Sequence, residues 1–382
     1  MLRDALLLVL CTGATLGCLF MIIAARLTPA SARRQPATGG THPAVTILLP
    51  LHGEEPGLLD NLVSFCRQDY AGPIQIILGV ADPYDPAVAV AQRLQLAFPD
   101  RHIELVAGAR AAGSNPKVAN LISMNTRTEH DIIVLVDSDI RVGRDYLANV
   151  VSALARSGGA VTCPYFGIST GNVWSRLAGL GIDGHFLPGL LVGVRFDLAK
   201  PCLGSTIALS RDSLAAIGGF EAVANCLADD HAIGEKLRAR GEPVSVLPFA
   251  VGHICGEASL RELWHHEVRW ALTIRTIGPL GYVGWSITHA FPLALAAFCL
   301  GGGTAAAALA LAALACRIRL LIAVERGYGV PRHPYWLVPV RDLLSFAVFL
   351  MGFAGRGVSW KGRRFRVIQE GDLVAEPGAP LP

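Results

Sequence analysis

The stretch Ile132-Ile133-Val134-Leu135-Val136-Asp137-Ser138-Asp139 decides how this chain is read. Five aliphatic residues in a row describe a strand buried on both faces, the kind that a parallel sheet holds between layers of helix. Two carboxylates come next at i and i+2, where alternate strand residues point the same way, so both can face one ion. Hard oxygen ligands of this kind suit Mg²⁺ or Mn²⁺, which take one or two carboxylates together with phosphate oxygens. An acidic turn after a strand is the bland alternative, and position is what separates the two readings. In open α/β sheets, ligands bind at the carboxyl ends of the strands.

Upstream, short apolar runs alternate with amphipathic stretches: Val45 to Leu49, Leu58 to Cys66, Ile74 to Val80, Ala87 to Phe98, Ile103 to Val106 and Val118 to Met124. Strands alternating with helices of this length predict βαβ units and a mostly parallel sheet. Asp82 comes just after the run ending at Val80 and so falls on the same sheet edge, although Asp and Pro in Ala81 to Pro86 also set a turn unaided. Asn115-Pro116-Lys117 opens a helix with Pro at its first position and a lysine at its positive end, a natural anion site. Downstream, Asp229-Asp230 opens another helical run. The helix dipole accounts for one of these acids, and the other is placed to be a general base. In His265-His266-Glu267-Val268-Arg269-Trp270, Arg269 offers a planar fork for phosphate oxygens, and Trp270 either packs on substrate or anchors at a membrane interface. The two histidines lack zinc-ligand spacing.

Charge is scarce over the chain as a whole. The 382 residues hold 33 Lys and Arg against 30 Asp and Glu, 16% charged where soluble chains average about 25%. That deficit excludes disorder, and a net charge of +3 gives no reason to expect a nucleic-acid partner. Nine scattered cysteines without a CxxC pair fit reduced thiols in the cytosol. The deficit is local. Ala5 to Ala25 is 21 residues without charge, longer than a signal-peptide core and long enough to cross a bilayer, and Arg26, Arg33 and Arg34 place the next part of the chain in the cytoplasm. Thr276 to Cys316 is 41 charge-free residues, enough for two spans joined by a turn at Gly301-Gly302-Gly303. Trp336 to Gly355 is interrupted by Arg341-Asp342 and reads as a third span or a re-entrant element. Val173 to Val194 is apolar but broken by Asp183 and His185, and reads as an interfacial element that admits a lipid or as buried core. The expected domains are an anchor at 1–34, a globular domain at 35–275, a membrane block at 276–356 and a tail at 357–382.

Asp82, Asn115-Pro116-Lys117, Asp137-Ser138-Asp139, Asp229-Asp230 and Arg269-Trp270, in this order, resemble the D, D, D, (Q/R)xxRW pattern of family 2-like inverting glycosyltransferases. Pro50 to Gly53, Asp85-Pro86-Ala87, Asp139 to Val142 and Val358-Ser359-Trp360 narrow the resemblance to the ceramide glucosyltransferase family, family 21, and to the glycosyltransferase of bacterial hopanoid biosynthesis. The resemblance implies an α/β GT-A catalytic domain, a Rossmann-like mostly parallel sheet, with N-terminal and C-terminal transmembrane helices. It further implies transfer of one sugar, with inversion, from UDP-glucose or UDP-N-acetylglucosamine to a membrane lipid hydroxyl of ceramide or hopanoid polyol type. By the same carry-over Asp82 contacts the nucleotide, Asp137 and Asp139 hold the metal and diphosphate, Asp230 is the catalytic base, and Arg269 and Trp270 hold the diphosphate. His266 stands where the family has Gln or Arg. The expected location is a bacterial inner membrane, with the catalytic domain in the cytosol. A processive polysaccharide synthase shares these motifs but calls for more spans to build a channel, and a non-catalytic scaffold would bind nucleotide sugar without turnover.

Overall fold

The computed structural model describes residues 1–31, 42–108 and 112–354, with the backbone of 357–360, 363–367 and 373–375. Arg33 and Arg34, expected to flank the first span, lie outside the described residues.

The aliphatic runs become the centre of one sheet. In chain order the strands are β1 (Val45–Leu51), β2 (Ile74–Val80), β3 (His102–Ala107), β4 (Ile132–Leu135), β5 (Ile140–Arg141), β6 (Ala160–Thr162), β7 (Tyr165–Ser169), β8 (Ile207–Ser210), β9 (Val244–Val246) and β10 (Val251–Cys255). Seven of them form a sheet in the order β3-β2-β1-β4-β8-β6-β9. All neighbours are parallel except β8, which runs antiparallel to both β4 and β6. Every residue of β1 is buried, as a strand covered by helices on both faces requires. The order reverses between β1 and β4, so the loop after β4 opens at the switch point. A second sheet, β5-β10-β7, stands beside it, with β10 antiparallel to β5 and parallel to β7. The tail adds a small antiparallel sheet whose first strand, Gly357–Trp360, contains Val358-Ser359-Trp360.

Local chemistry sets the helices that carry the motifs. Asn115 caps the helix Pro116–Asn125, its Oδ1 accepting from the amides of Lys117 at 3.0 Å and Val118 at 3.2 Å, with Pro116 supplying the preset first turn. That helix lies tightly on β2, because a side chain at Gly79 would collide with Met124 and Asn120. Ser259 caps the helix Leu260–Ile277 through the Glu262 amide at 3.2 Å, and Glu262 reaches back to the Ala258 amide at 2.8 Å.

Four helical segments among the described residues are long and apolar enough to cross a membrane: Leu2–Thr28, Val173–Arg195, Gly303–Tyr328 and Tyr335–Ala354. A fifth candidate is the pair Pro279–Thr288 and Ala290–Cys299, bent by 66° at His289. The bend replaces one of the two straight spans expected between 276 and 316. The helix after the glycine turn runs on to Tyr328, so Arg317 and Arg319 sit inside it rather than beyond it. Ala14, Ala290, Ala294 and Ala313 are fully buried where the first helix meets these, small residues that let backbones approach. Of the two readings of 173–194, burial matches core. Its three helical pieces form one run, with a π-helical turn at Ile182–Phe186, and pack against β7, β10 and the membrane helices.

Buried charges bind the apolar C-terminal helices to the rest of the chain. Asp342 accepts from Arg317 Nε at 3.1 Å and from His185 Nε2 at 3.0 Å, all three buried. Arg341 holds Glu267 of the Leu260–Ile277 helix in a two-pronged pair. His333 Nε2 pairs with Asp183 at 2.9 Å. Removing one partner strands a buried charge, at about 3–5 kcal/mol. Asp342→Leu is therefore expected to lower the melting temperature in detergent markedly, and adding Arg317→Met to recover much of the loss. An unchanged melting temperature in the single variant contradicts this pairing.

Candidate functional site

The carboxyl ends of β1 and β4 are where the sequence motifs converge. Val136 still donates to Leu48 O at 3.0 Å, which holds Asp137 in line with the strand. Asp137 then donates its amide to Gly204 O at 3.0 Å, and Gly204 donates its own to Asp230 Oδ2 at 2.9 Å. A side chain at Gly204 would press on the Asp137 carboxylate and shift it against Lys117. Asp230 Oδ1 also accepts the His231 amide at 2.7 Å.

Lys117 joins the other acids. Its Nζ lies 2.8 Å from Asp137 Oδ1 and 3.0 Å from Asp229 Oδ2. Burial disfavours the ammonium, but Asp137, Asp229 and Asp230 outweigh it and raise its pKa well above the usual value. Burial pushes Asp137 up, with Asp139 and Asp229 adding to the effect and Lys117 opposing it. Burial and the neighbouring Asp229 raise Asp230 to about 6. Asp139 behaves differently. Burial would raise it, yet His253 Nε2, 3.2 Å from its Oδ2, more than compensates and holds it low. His253, on β10, is in turn raised well above 6.5 by Asp139 despite its burial. Asp137 and Asp139 can thus carry different charge at one pH.

The helix Leu260–Ile277 closes the other side. Arg269 is half-buried, and Asp139 and Asp137 act on its guanidinium. The Trp270 ring packs edge-on to His266 at 4.5 Å and to His253 at 6.0 Å. His266 Nδ1 donates to Glu257 Oε1 at 2.6 Å. Sequence reasoning missed His253, Glu257 and Gly204. A lone His or Glu beside an apolar strand carries no motif, and only the pairing of β5 with β10 brings His253 to Asp139.

Asp82 stands apart. It is exposed at the end of β2, its Oδ1 accepting the Tyr84 amide at 2.9 Å, and β2 is two strands from β4, about 10 Å by strand spacing. The neighbouring Asp85 clasps two of the family-like phrases together, accepting the Gly53 and Ala87 amides at 2.8 Å each and lying 3.2 Å from His52 Nδ1.

The donor set fits a divalent cation. Two hard carboxylates share one sheet edge, and Asp139 Oδ1 is buried with no hydrogen-bond partner.

The sequence model of glycosyl transferase family 21 matches residues 9–373. The chain belongs to glycosyltransferase family 21. Curated relatives include a ceramide glucosyltransferase of Gibberella zeae, 31% identical over 39% of this chain and 32% of that protein. A ceramide glucosyltransferase 3 of Caenorhabditis elegans is 23% identical over 60% of this chain and 50% of that protein. A beta-monoglucosyldiacylglycerol synthase of Synechocystis is 24% identical over 60% and 47%. The matches span a third to a half of those relatives' lengths. Among solved structures, a mannosyltransferase of Pyrobaculum calidifontis in complex with GDP-mannose and Mn²⁺ is similar at a TM-score of 0.54, with 20% identity, over 92% of this chain and 99% of that one. The likeness shows the fold, a GT-A glycosyltransferase sheet with apolar helices at both ends.

Lys117→Met tests the electrostatics of this family 21 site without any substrate. Without the ammonium Asp137 and Asp230 rise further above their unfolded values, so the folded variant binds more protons than the unfolded one and gains stability as pH falls. In metal-free buffer the melting-temperature gap between wild type and variant is expected to be wide at pH 8 and narrower at pH 5.5. An equal gap at both contradicts the pairing.

Proposed function

We propose that this chain is a hexosyltransferase that moves one sugar from a UDP-sugar, UDP-glucose or UDP-N-acetylglucosamine, to a hydroxyl of a membrane lipid of ceramide or hopanoid polyol type. The observation that carries the reading is the meeting of Asp137, Asp139, Lys117, Asp230 and Arg269 at the switch point of a GT-A sheet joined by buried ion pairs to apolar helices. Family membership and the names of the curated relatives support a lipid acceptor. We place the catalytic domain at 35–275 between the anchor at 1–34 and the membrane block at 276–356, on the cytosolic face of a bacterial inner membrane.

Asp137 and Asp139 would hold a Mg²⁺ or Mn²⁺ ion, which supplies positive charge to the donor diphosphate. Arg269 adds a fork for the same oxygens, and its charge is placed where negative charge grows as the leaving group departs. Lys117 keeps Asp137 and Asp229 paired while the donor binds. Trp270 and His266 wall the diphosphate side, with His266 fixed by Glu257. Asp82, at the carboxyl end of β2 two strands away from β4, would contact the nucleotide. Asp230, with a pKa of about 6, is ionised at neutral pH and takes the proton from the acceptor hydroxyl as its oxygen attacks the anomeric carbon.

The test is to incubate membranes containing the protein with each radiolabelled UDP-sugar separately and identify the labelled lipid by mass spectrometry. A lipid gaining one hexose or N-acetylhexosamine is expected, and no labelled lipid from either donor contradicts the reading. Asp230→Asn should lower turnover by roughly 10²- to 10⁴-fold while UDP-sugar binding persists. Near wild-type turnover removes Asp230 as base. Excess EDTA should abolish transfer and added Mn²⁺ or Mg²⁺ restore it, whereas full activity in EDTA removes the metal from the scheme.

A further inference from the structure

Trp270 and His266 also line a partly open, mostly apolar cavity that the transferase scheme leaves unassigned. His253, which lines it, lies 3.2 Å from Asp139 and so stands between the cavity and the carboxylates. Its far wall is membrane block, including Trp285, His289, Val348 and Phe349. Ile274, which also lines it, is partly exposed, and the next apolar residues along the chain, Ile277, Leu280, Val283 and Ile287, are exposed as well. An apolar molecule therefore has an apolar approach.

Two polar side chains in this cavity have unspent hydrogen-bonding capacity. His289, at the 66° bend, is 1% exposed, and neither ring nitrogen has a partner. Trp285, Phe346 and Phe349 surround it at centroid distances of 6.2, 5.5 and 5.0 Å, and none of these supplies a partner. Glu257 is 8% exposed; Oε1 serves His266, and Oε2 has no partner. A neutral imidazole presents one donor and one acceptor, and a carboxylate oxygen accepts. Leaving such groups buried and unpaired is costly, so their complement is a ligand that brings hydroxyls into an apolar pocket.

Resting on the transferase reading, we propose that this cavity holds the head of the acceptor lipid, and that His289 and Glu257 Oε2 bind a second hydroxyl or comparable polar group beside the one that reacts. The acceptor class is then a lipid with at least two adjacent hydrogen-bonding groups. A lipid with a single hydroxyl spends that group at Asp230 and leaves His289 bare. The apolar walls take the start of the hydrocarbon chain, and the second group sets which hydroxyl faces Asp230.

Direct binding tests this independently of transfer. Trp270 and Trp285 line the cavity, so intrinsic fluorescence of the full-length protein in detergent reports occupancy by hexadecane-1,2-diol or hexadecan-1-ol. The diol is expected to bind roughly tenfold tighter, the worth of about one buried hydrogen bond. His289→Phe should erase that preference and His289→Gln, which keeps a donor and an acceptor, should retain most of it, with melting temperatures verifying that both variants fold. Equal binding of diol and alcohol by wild type, or an intact preference in His289→Phe, overturns the proposal. A His289-dependent diol preference in a protein that transfers no sugar supports the cavity assignment and contradicts the transferase reading instead.

Discussion

One buried ammonium makes the site possible. Asp137, Asp229 and Asp230 converge on Lys117 at the carboxyl end of the sheet, where burial and their mutual repulsion raise Asp137 and Asp230. Lys117 Nζ, held between Asp137 and Asp229 by a helix that Asn115 caps and Gly79 lets settle onto β2, opposes that rise. Gly204 then threads its backbone between Asp137 and Asp230. His253 balances Asp139 from the second sheet. Lys117, the Gly204 backbone and His253 thus meet the acids from three directions and keep them at one sheet edge.

The same economy of charge joins the sheet to the apolar helices. The Leu260–Ile277 helix carries Arg269 and Trp270 toward the carboxylates and Glu267 toward Arg341 of the last apolar helix. The π-helical turn carries His185 to Asp342 and Asp183 to His333. A GT-A domain merely tethered to a membrane would not need its charged contacts with the apolar helices to be buried. Here they fix the orientation of the site relative to the apolar helices.

Much of this was legible in the sequence because the signals were local. Ile74 to Val80 and Leu58 to Cys66 coincide with the strand and helix found, since aliphatic continuity and amphipathic period each suffice to define such elements. The carboxylates after β4 were legible for the same reason. What escaped was pairing across long separations: His185 with Asp342, 157 residues apart, and His253 with Asp139 across two short strands. A buried histidine has no pattern around it in one dimension. The break at His289 also escaped, because the charge-free run of 41 residues reads as two spans joined at Gly301 to Gly303, with no charge to mark a bend before that turn.

The central claim is that an acceptor hydroxyl, deprotonated at Asp230, attacks the donor's anomeric carbon once and from the side opposite the diphosphate. The proton NMR spectrum of the purified glycolipid made from an α-linked UDP-sugar tests it most directly. Inversion predicts a single sugar whose anomeric proton shows the large diaxial coupling of a β linkage. A retained α linkage, or a chain of several sugars, would contradict it.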